Sequence, residues 1–264
     1  MDKFAVKRKA DRDESPSKKT RSTDRLRPTF VIAPGASGGV CPDLREVLGR
    51  MGKVVGLTKW AGNFPSQMNA NVALLEKAAL DARAGGDAMV LVGHSFGCRV
   101  VAELMAKDAS FTVALFESYP LYGPSVPKTA ALDRVAPLLR LRPEARVCFF
   151  SGARDEFLAR AAPKGWRGAG EPTGAAALHA VVARMPCAAG ATVFSIDGAG
   201  HDALKVAKSK VLNVQGQLLR AVEALISELA PAPQEAAAFP GQGRALGGAV
   251  VDLTEDTQDT LEDE

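Results

Sequence analysis

Ser95, Asp155 and His201 have the residue types, and occur in the order, that covalent acyl chemistry needs. Ser95 lies in Gly93-His94-Ser95-Phe96-Gly97, directly after the apolar run Ala88–Val92 and just before a helical pattern. A serine hydroxyl is a poor nucleophile at neutral pH. It needs a base within hydrogen-bond reach, a group that orients the base, and donors for the oxyanion. A Gly-x-Ser-x-Gly pentapeptide often occurs by chance, but a place between a strand and a helix is the context that a nucleophile-bearing turn requires. Gly93 and Gly97 fit that turn, which leaves no room for side chains beside the serine backbone. The plainer reading is a small serine at an ordinary strand–helix junction.

The chain has three histidines. His94 is too close to Ser95 in sequence to act as its base, and His179 falls mid-helix in AALHAVVARM. His201 follows the last strand on the glycine-rich loop SIDGAGHDAL, where a base belongs. Asp155 follows the fifth strand and would hold the tautomer of His201 and stabilise its imidazolium. Glu117, after the fourth strand, is the rival acid; Asp202 adjoins the base but would point away. For the oxyanion, the first donor is the backbone N–H of Phe96. The second comes from the loop after the first strand, Pro34 to Gly39, with Ala36 the choice and Gly35 its neighbour. An ordinary glycine-rich turn is the alternative there. A phosphate loop is not indicated, because no G-x-x-x-x-G-K-[ST] is present.

These residues must be positioned by an alternating set of elements. Apolar runs at 29–33, 53–57, 88–92, 111–116, 145–150 and 191–196 read as strands. Helical patterns occupy 43–51, 67–84, 96–107, 130–139, 175–185 and 209–229, with Gly85-Gly86 ending the second. Near-continuous apolar strands alternating with helices predict an α/β domain over residues 28–230. Its sheet would be mostly parallel, of about six strands, with helices on both faces. The stretch 117–128 is too short for a lid domain, so an open, shallow site is expected. Trp60 and Phe64, after the second strand, could line it or simply pack.

Both flanks differ from this body. Residues 1–28 carry ten Lys/Arg against five Asp/Glu, and residues 231–264 carry one Arg against eight Asp/Glu. Residues 1–27 read as a disordered basic tail. Lys7-Arg8-Lys9 and Lys18-Lys19 with Arg21 have bipartite nuclear-localisation spacing, which implies importin as a partner and a nuclear or nucleocytoplasmic location; a solvated basic arm is the simpler alternative. Ser15-Pro16 between the clusters is a phosphorylation candidate that would weaken the local positive field. A Pro/Ala/Gly-rich linker leads to the acidic end AVVDLTEDTQDTLEDE. Val250, Val251, Asp252 and Leu253, followed by acids, resemble a SUMO-interacting motif: the apolar residues would fill a groove as the segment adds a strand to a sheet edge. The four cysteines show neither C-x-x-C nor zinc spacing and read as buried reduced thiols. No metal or cofactor is expected, no apolar run is long enough to span a membrane, and nucleic acid is not an expected partner.

Taken together, GHSFG, FESYPLYGPSVP, FFSGARDEF and DGAGHDAL resemble the α/β-hydrolase superfamily. More narrowly, they are similar to the branch that includes the testis-expressed hydrolase-like protein and subunit 3 of the nonspecific-lethal chromatin complex. The resemblance covers about residues 28–230. It implies a minimal α/β-hydrolase fold, with Ser95 as nucleophile, Asp155 as acid and His201 as base. Two features depart from it: the oxyanion loop opens Pro34-Gly35 where the branch often has His-Gly, and the sheet begins at what is usually the third strand. The expected activity is hydrolysis of a small ester, thioester or amide; the alternative is a non-catalytic interaction module in a nuclear, SUMO-linked complex. For the tail, a 245–264 peptide should bind SUMO in an NMR titration, and replacing Val250, Val251 and Leu253 by Ala should weaken binding at least tenfold. Unchanged binding would contradict the motif.

Overall fold

The structure, a computed structural model, describes residues 27–57, 59–61, 67–83, 88–123, 129–159 and 174–227. The basic clusters at Lys7-Arg8-Lys9 and Lys18-Lys19-x-Arg21, Ser15-Pro16, Phe64, Gly85-Gly86, and the tail motif at Val250, Val251, Asp252 and Leu253 lie outside the described residues. So do 124–128, on which the expectation of a lidless site partly turns.

Six parallel strands form one sheet: β1 (Thr29–Ala33), β2 (Lys53–Gly56), β3 (Met89–His94), β4 (Val113–Glu117), β5 (Arg146–Gly152) and β6 (Ala191–Ile196), in the order β2-β1-β3-β4-β5-β6. Burial explains the composition of each strand. The inner strands β1 and β4 are buried at every position, so they read as unbroken apolar runs. The edge strands β2 and β6 are only partly covered and carry polar residues such as Lys53, Thr192 and Ser195.

The strand order decides where the helices go. From β1 the chain steps outward to β2 through α1 (Pro42–Met51). It then returns past β1 to β3 through α2 (Met68–Arg83) and moves steadily to the other edge through α3 (Phe96–Lys107), α4 (Thr129–Leu139), the short turn α5 (Glu156–Ala159) and α6 (Ala175–Val182). Right-handed crossovers that run in opposite directions lie on opposite faces. Leu44, Val47 and Leu48 of α1 accordingly share a core with Phe30, Ile32, Val90, Val92, Leu115 and Phe150. The final helix α7 (Val211–Ser227) closes that face through Val214, Leu218, Val222 and Leu225, at helical spacing. Full burial of each such side chain is worth about 1.5–3 kcal/mol. The opposite face packs Val31, Leu91, Ala114, Phe116 and Phe149 under α2, α3 and α6.

The direction of travel reverses between β1 and β3. Their carboxyl ends are adjacent, yet the following segments diverge to opposite faces, which leaves a crevice where ligands of such sheets bind. The Pro34–Gly39 loop and Ser95 both sit there. The segment after β4 is anchored by Tyr119, fully buried against Phe116 and Phe149, whose hydroxyl donates to the Arg134 carbonyl at 2.6 Å.

Three strands run past the ends expected from sequence: β3 to His94 rather than Val92, β5 to Gly152 rather than Phe150, and β4 to Glu117 rather than Phe116. A carboxylate reads as a loop residue, but this one is fully buried and continues the ladder. Helix α1 starts one residue early because Pro42 supplies a preset φ at its first position.

Two glycines test how tightly the elements are joined. A Cβ on Gly97 would lie 2.0 Å from the Ala33 carbonyl oxygen, so α3 is pressed directly on the end of β1. A Cβ on Gly49, exposed in α1, would meet nothing within 4 Å. Gly97→Ala should destabilise the fold by roughly 3 kcal/mol. Gly49→Ala should stabilise it by roughly 0.5–1 kcal/mol. Chemical denaturation of the two variants measures both, and equal effects would contradict the packing described.

Candidate active site

The chain turns from β3 into α3 at Ser95, whose backbone sits at φ 50° and ψ −115°. For a residue with a Cβ this region is sparsely populated and costs on the order of 1–3 kcal/mol. It is imposed from both sides. A Cβ at Gly93 would lie 2.4 Å from Cys98 Cα, so the strand end and the first helical turn touch backbone to backbone. The Ser95 N–H donates to the Glu117 carbonyl of the neighbouring strand at 2.9 Å, which locks the turn to β4.

Ser95 Oγ lies 2.7 Å from His201 Nε2. His201 Nδ1 lies 3.0 Å from each carboxylate oxygen of Asp155. Asp155 is fully buried and also accepts the Phe157 N–H at 2.8 Å, while His201 remains partly exposed. Residues 46 and 106 positions apart in sequence thus form one hydrogen-bonded line. With Nδ1–H donating to Asp155, Nε2 holds a lone pair toward the serine hydroxyl. The Phe157 ring meets the His201 ring at a centroid distance of 4.2 Å and 62°, which limits imidazole rotation.

The loops that carry the acid and the base are joined independently of these side chains. Arg154 N–H donates to the Ala199 carbonyl at 2.9 Å and Ala153 N–H to the Ile196 carbonyl at 3.0 Å. A Cβ on Gly152 would lie 2.1 Å from the Gly200 carbonyl oxygen, so the two backbones are in direct contact.

The oxyanion side needs one correction. Gly35 N–H donates to the Gly39 carbonyl at 3.0 Å, and the Gly35 carbonyl accepts from Gly38 N–H at 3.0 Å and Trp60 Nε1–H at 2.9 Å. Gly35 therefore closes its own turn, and its N–H is already taken. Ala36 occupies the first corner of that turn, where the N–H takes no part in the turn's hydrogen bond, and it is exposed. Phe96 is the first residue of α3, and the N–H groups of a helix's first turn point out of its amino end. Trp60 is nearly buried and packs edge-on against Phe96, with centroids 5.5 Å apart. It braces the loop and the helix start together, a role that the sequence reading left undecided.

Glu117 does not compete for His201. Its fully buried carboxylate pairs with His94 Nδ1, beside Ser95, and accepts from Ser118 Oγ at 2.8 Å and Ala203 N–H at 3.1 Å. This second pair was not foreseen, although a polar residue ending each of two adjacent apolar runs is the signal that would find it. His179 lies exposed on α6, and Asp202 pairs with Lys205 at 3.1 Å. The four cysteines are free and buried. Among the described residues, no three His, Cys, Asp or Glu side chains group so as to hold a metal ion.

Solved structures share this architecture. The chain is similar to a monoacylglycerol lipase of Paleococcus ferrophilus (11% identity, TM-score 0.54, 76% of this chain and 95% of that one). It is also similar to an esterase of Pyrococcus furiosus (10%, 0.53, 76% and 83%) and to a metagenome-derived lipolytic enzyme of the LipS and LipT pair (12%, 0.50, 75% and 94%). No protein-family model and no curated protein matches the sequence. At such identities the likeness is one of fold, and the fold is a minimal α/β-hydrolase fold.

The His94–Glu117 pair has a pH signature. Burial alone lowers the His94 pKa, but the hydrogen bond and charge of Glu117, with Asp202 adding, outweigh it and the net shift is upward. The folded protein thus holds this proton to higher pH than the unfolded chain, whose histidine titrates near about 6.5. The stabilisation is complete below that value and is lost as pH rises through the higher folded pKa. The melting-temperature gap between wild type and His94→Ala should be larger at pH 5.5 than at pH 9; an equal gap would contradict the pairing.

Proposed function

We propose that the chain is a serine hydrolase that cleaves a small ester, thioester or amide through an acyl-enzyme on Ser95. The observation that carries this reading is the unbroken hydrogen-bond line from Ser95 Oγ through His201 to Asp155. In the first half-reaction, Ser95 Oγ attacks the substrate carbonyl carbon as His201 Nε2 takes its proton, and the carbonyl π-electrons move to oxygen. The backbone N–H groups of Phe96 and Ala36 receive that oxyanion. Asp155 stays ionised and stabilises the imidazolium. The intermediate collapses with cleavage of the bond to the leaving group, which takes the proton from His201. In the second half, a water attacks the acyl carbon with His201 again as base, and Ser95 regains its proton as the acid departs.

A second reading rests on the tail motifs around Lys7-Arg8-Lys9 and Val250-Val251-Asp252-Leu253: the same fold serves as a non-catalytic module in a nuclear, SUMO-linked assembly. A fluorophosphonate probe distinguishes the two. Wild type should be labelled at Ser95 and Ser95→Ala not at all. His201→Ala should be labelled at least about 1,000-fold more slowly, and Asp155→Asn roughly 100- to 10,000-fold more slowly. Folded wild type that resists labelling would favour the module.

A further inference from the structure

We propose that Glu117 is a positioning residue that sets the distance between the nucleophile-bearing turn and the base-bearing loop; this rests on the serine-hydrolase reading. Glu117 ends β4 directly in register with His94 at the end of β3. Along both strands alternate residues face α1 and α7: Val113 and Leu115 on β4, Val90 and Val92 on β3. Glu117 and His94 continue those two rows, so their side chains meet beneath the turn that holds Ser95.

The residue is joined to three segments at once. Its carbonyl accepts from Ser95 N–H at 2.9 Å and from Cys98 Sγ–H at 3.1 Å, on either side of the turn. One carboxylate oxygen takes His94 Nδ1–H. The other takes Ser118 Oγ–H at 2.8 Å and Ala203 N–H at 3.1 Å. Ala203 is two residues beyond His201 on the same loop. Glu117 therefore links the serine turn to the histidine loop without passing through Ser95 Oγ, His201 or Asp155. An oriented serine–imidazole contact tolerates little misplacement. A buried carboxylate is costly unless its oxygens are filled, and here two of the groups that fill them, from His94 and Ala203, belong to the two segments whose spacing matters, the third being the neighbouring Ser118 hydroxyl. An aliphatic side chain would satisfy the core but would leave the Ala203 N–H and Ser118 hydroxyl without this acceptor.

Reach and charge can be separated. Glu117→Asp keeps the charge and shortens the arm by one methylene. Glu117→Gln keeps the reach and an oxygen for Ala203 N–H, and turns its amide donor toward His94. Full-length wild type and both variants are titrated with a fluorophosphonate, and the maximal labelling rate and half-saturating concentration are read separately. Glu117→Asp should lower the maximal rate at least about tenfold with the half-saturating concentration within threefold, and Glu117→Gln should stay within threefold in both. The three histidines also allow side-chain NMR. The His201 Nδ1–H signal should shift or broaden in Glu117→Asp and persist in Glu117→Gln, with exposed His179 unmoved as the internal reference. A Glu117→Asp protein equal to wild type, or a Glu117→Gln protein slowed tenfold or more relative to wild type, overturns the proposal; the second outcome needs no folded Glu117→Asp. If wild type itself is not labelled, the hydrolase reading fails, and the His201 signal still decides the positioning.

Discussion

The upper edge of the sheet is organised around a backbone conformation that serine does not favour. Ser95 holds its positive φ because the chain on either side has nowhere else to go: Gly97 sits against the Ala33 carbonyl and Gly93 against Cys98. That contact drives α3 onto the ends of β1 and β3 and directs the hydroxyl out of the sheet rather than along it. The strain, on the order of a few kcal/mol, is small beside the burial of the two cores that α3 and its neighbours complete. The same turn begins α3 at Phe96, so the Ser95 hydroxyl and the Phe96 N–H are not independently placed.

Around that turn, rigidity comes from backbone contacts more than from the polar side chains themselves. The acid and base loops touch at Gly152 and Gly200 and exchange main-chain hydrogen bonds, so His201 finds Asp155 without a search. On the other flank, Trp60 clamps the Gly35 turn and Phe96 in a single contact set. Groups held in this way are organised without a ligand, the condition under which positioned groups need little reorganisation to act.

The architecture was largely legible in the sequence, because strands covered on both faces leave long apolar runs and the helices between them keep a 3.6-residue period. The order of Ser95, Asp155 and His201 relative to those runs was legible for the same reason. What escaped was polar and buried. Glu117 reads as the first loop residue because its charge ends the hydrophobic pattern, and only strand register reveals that it faces His94. Ala36 was the chosen donor of the Gly35 turn with Gly35 kept beside it, and that the Gly35 N–H is consumed depends on a hydrogen bond to Gly39 that no local pattern encodes. Trp60 could not be assigned to packing or to the site, since its partners come from two other segments.

The chain order of the sheet has a consequence for synthesis. Because β6 is the last strand among the described residues and lies at an edge, His201 and Ala203 emerge after Ser95, Glu117 and Asp155 have been made. The face that carries Phe30, Val90, Val92 and Phe150 is left with α1 alone until α7 docks. A nascent chain on the ribosome would thus carry its serine turn and a partly covered apolar surface together, before His201 can reach the one and α7 the other. The Ser95–His201 contact and the cover of that face would be acquired in the same late step, when α7 packs across the sheet.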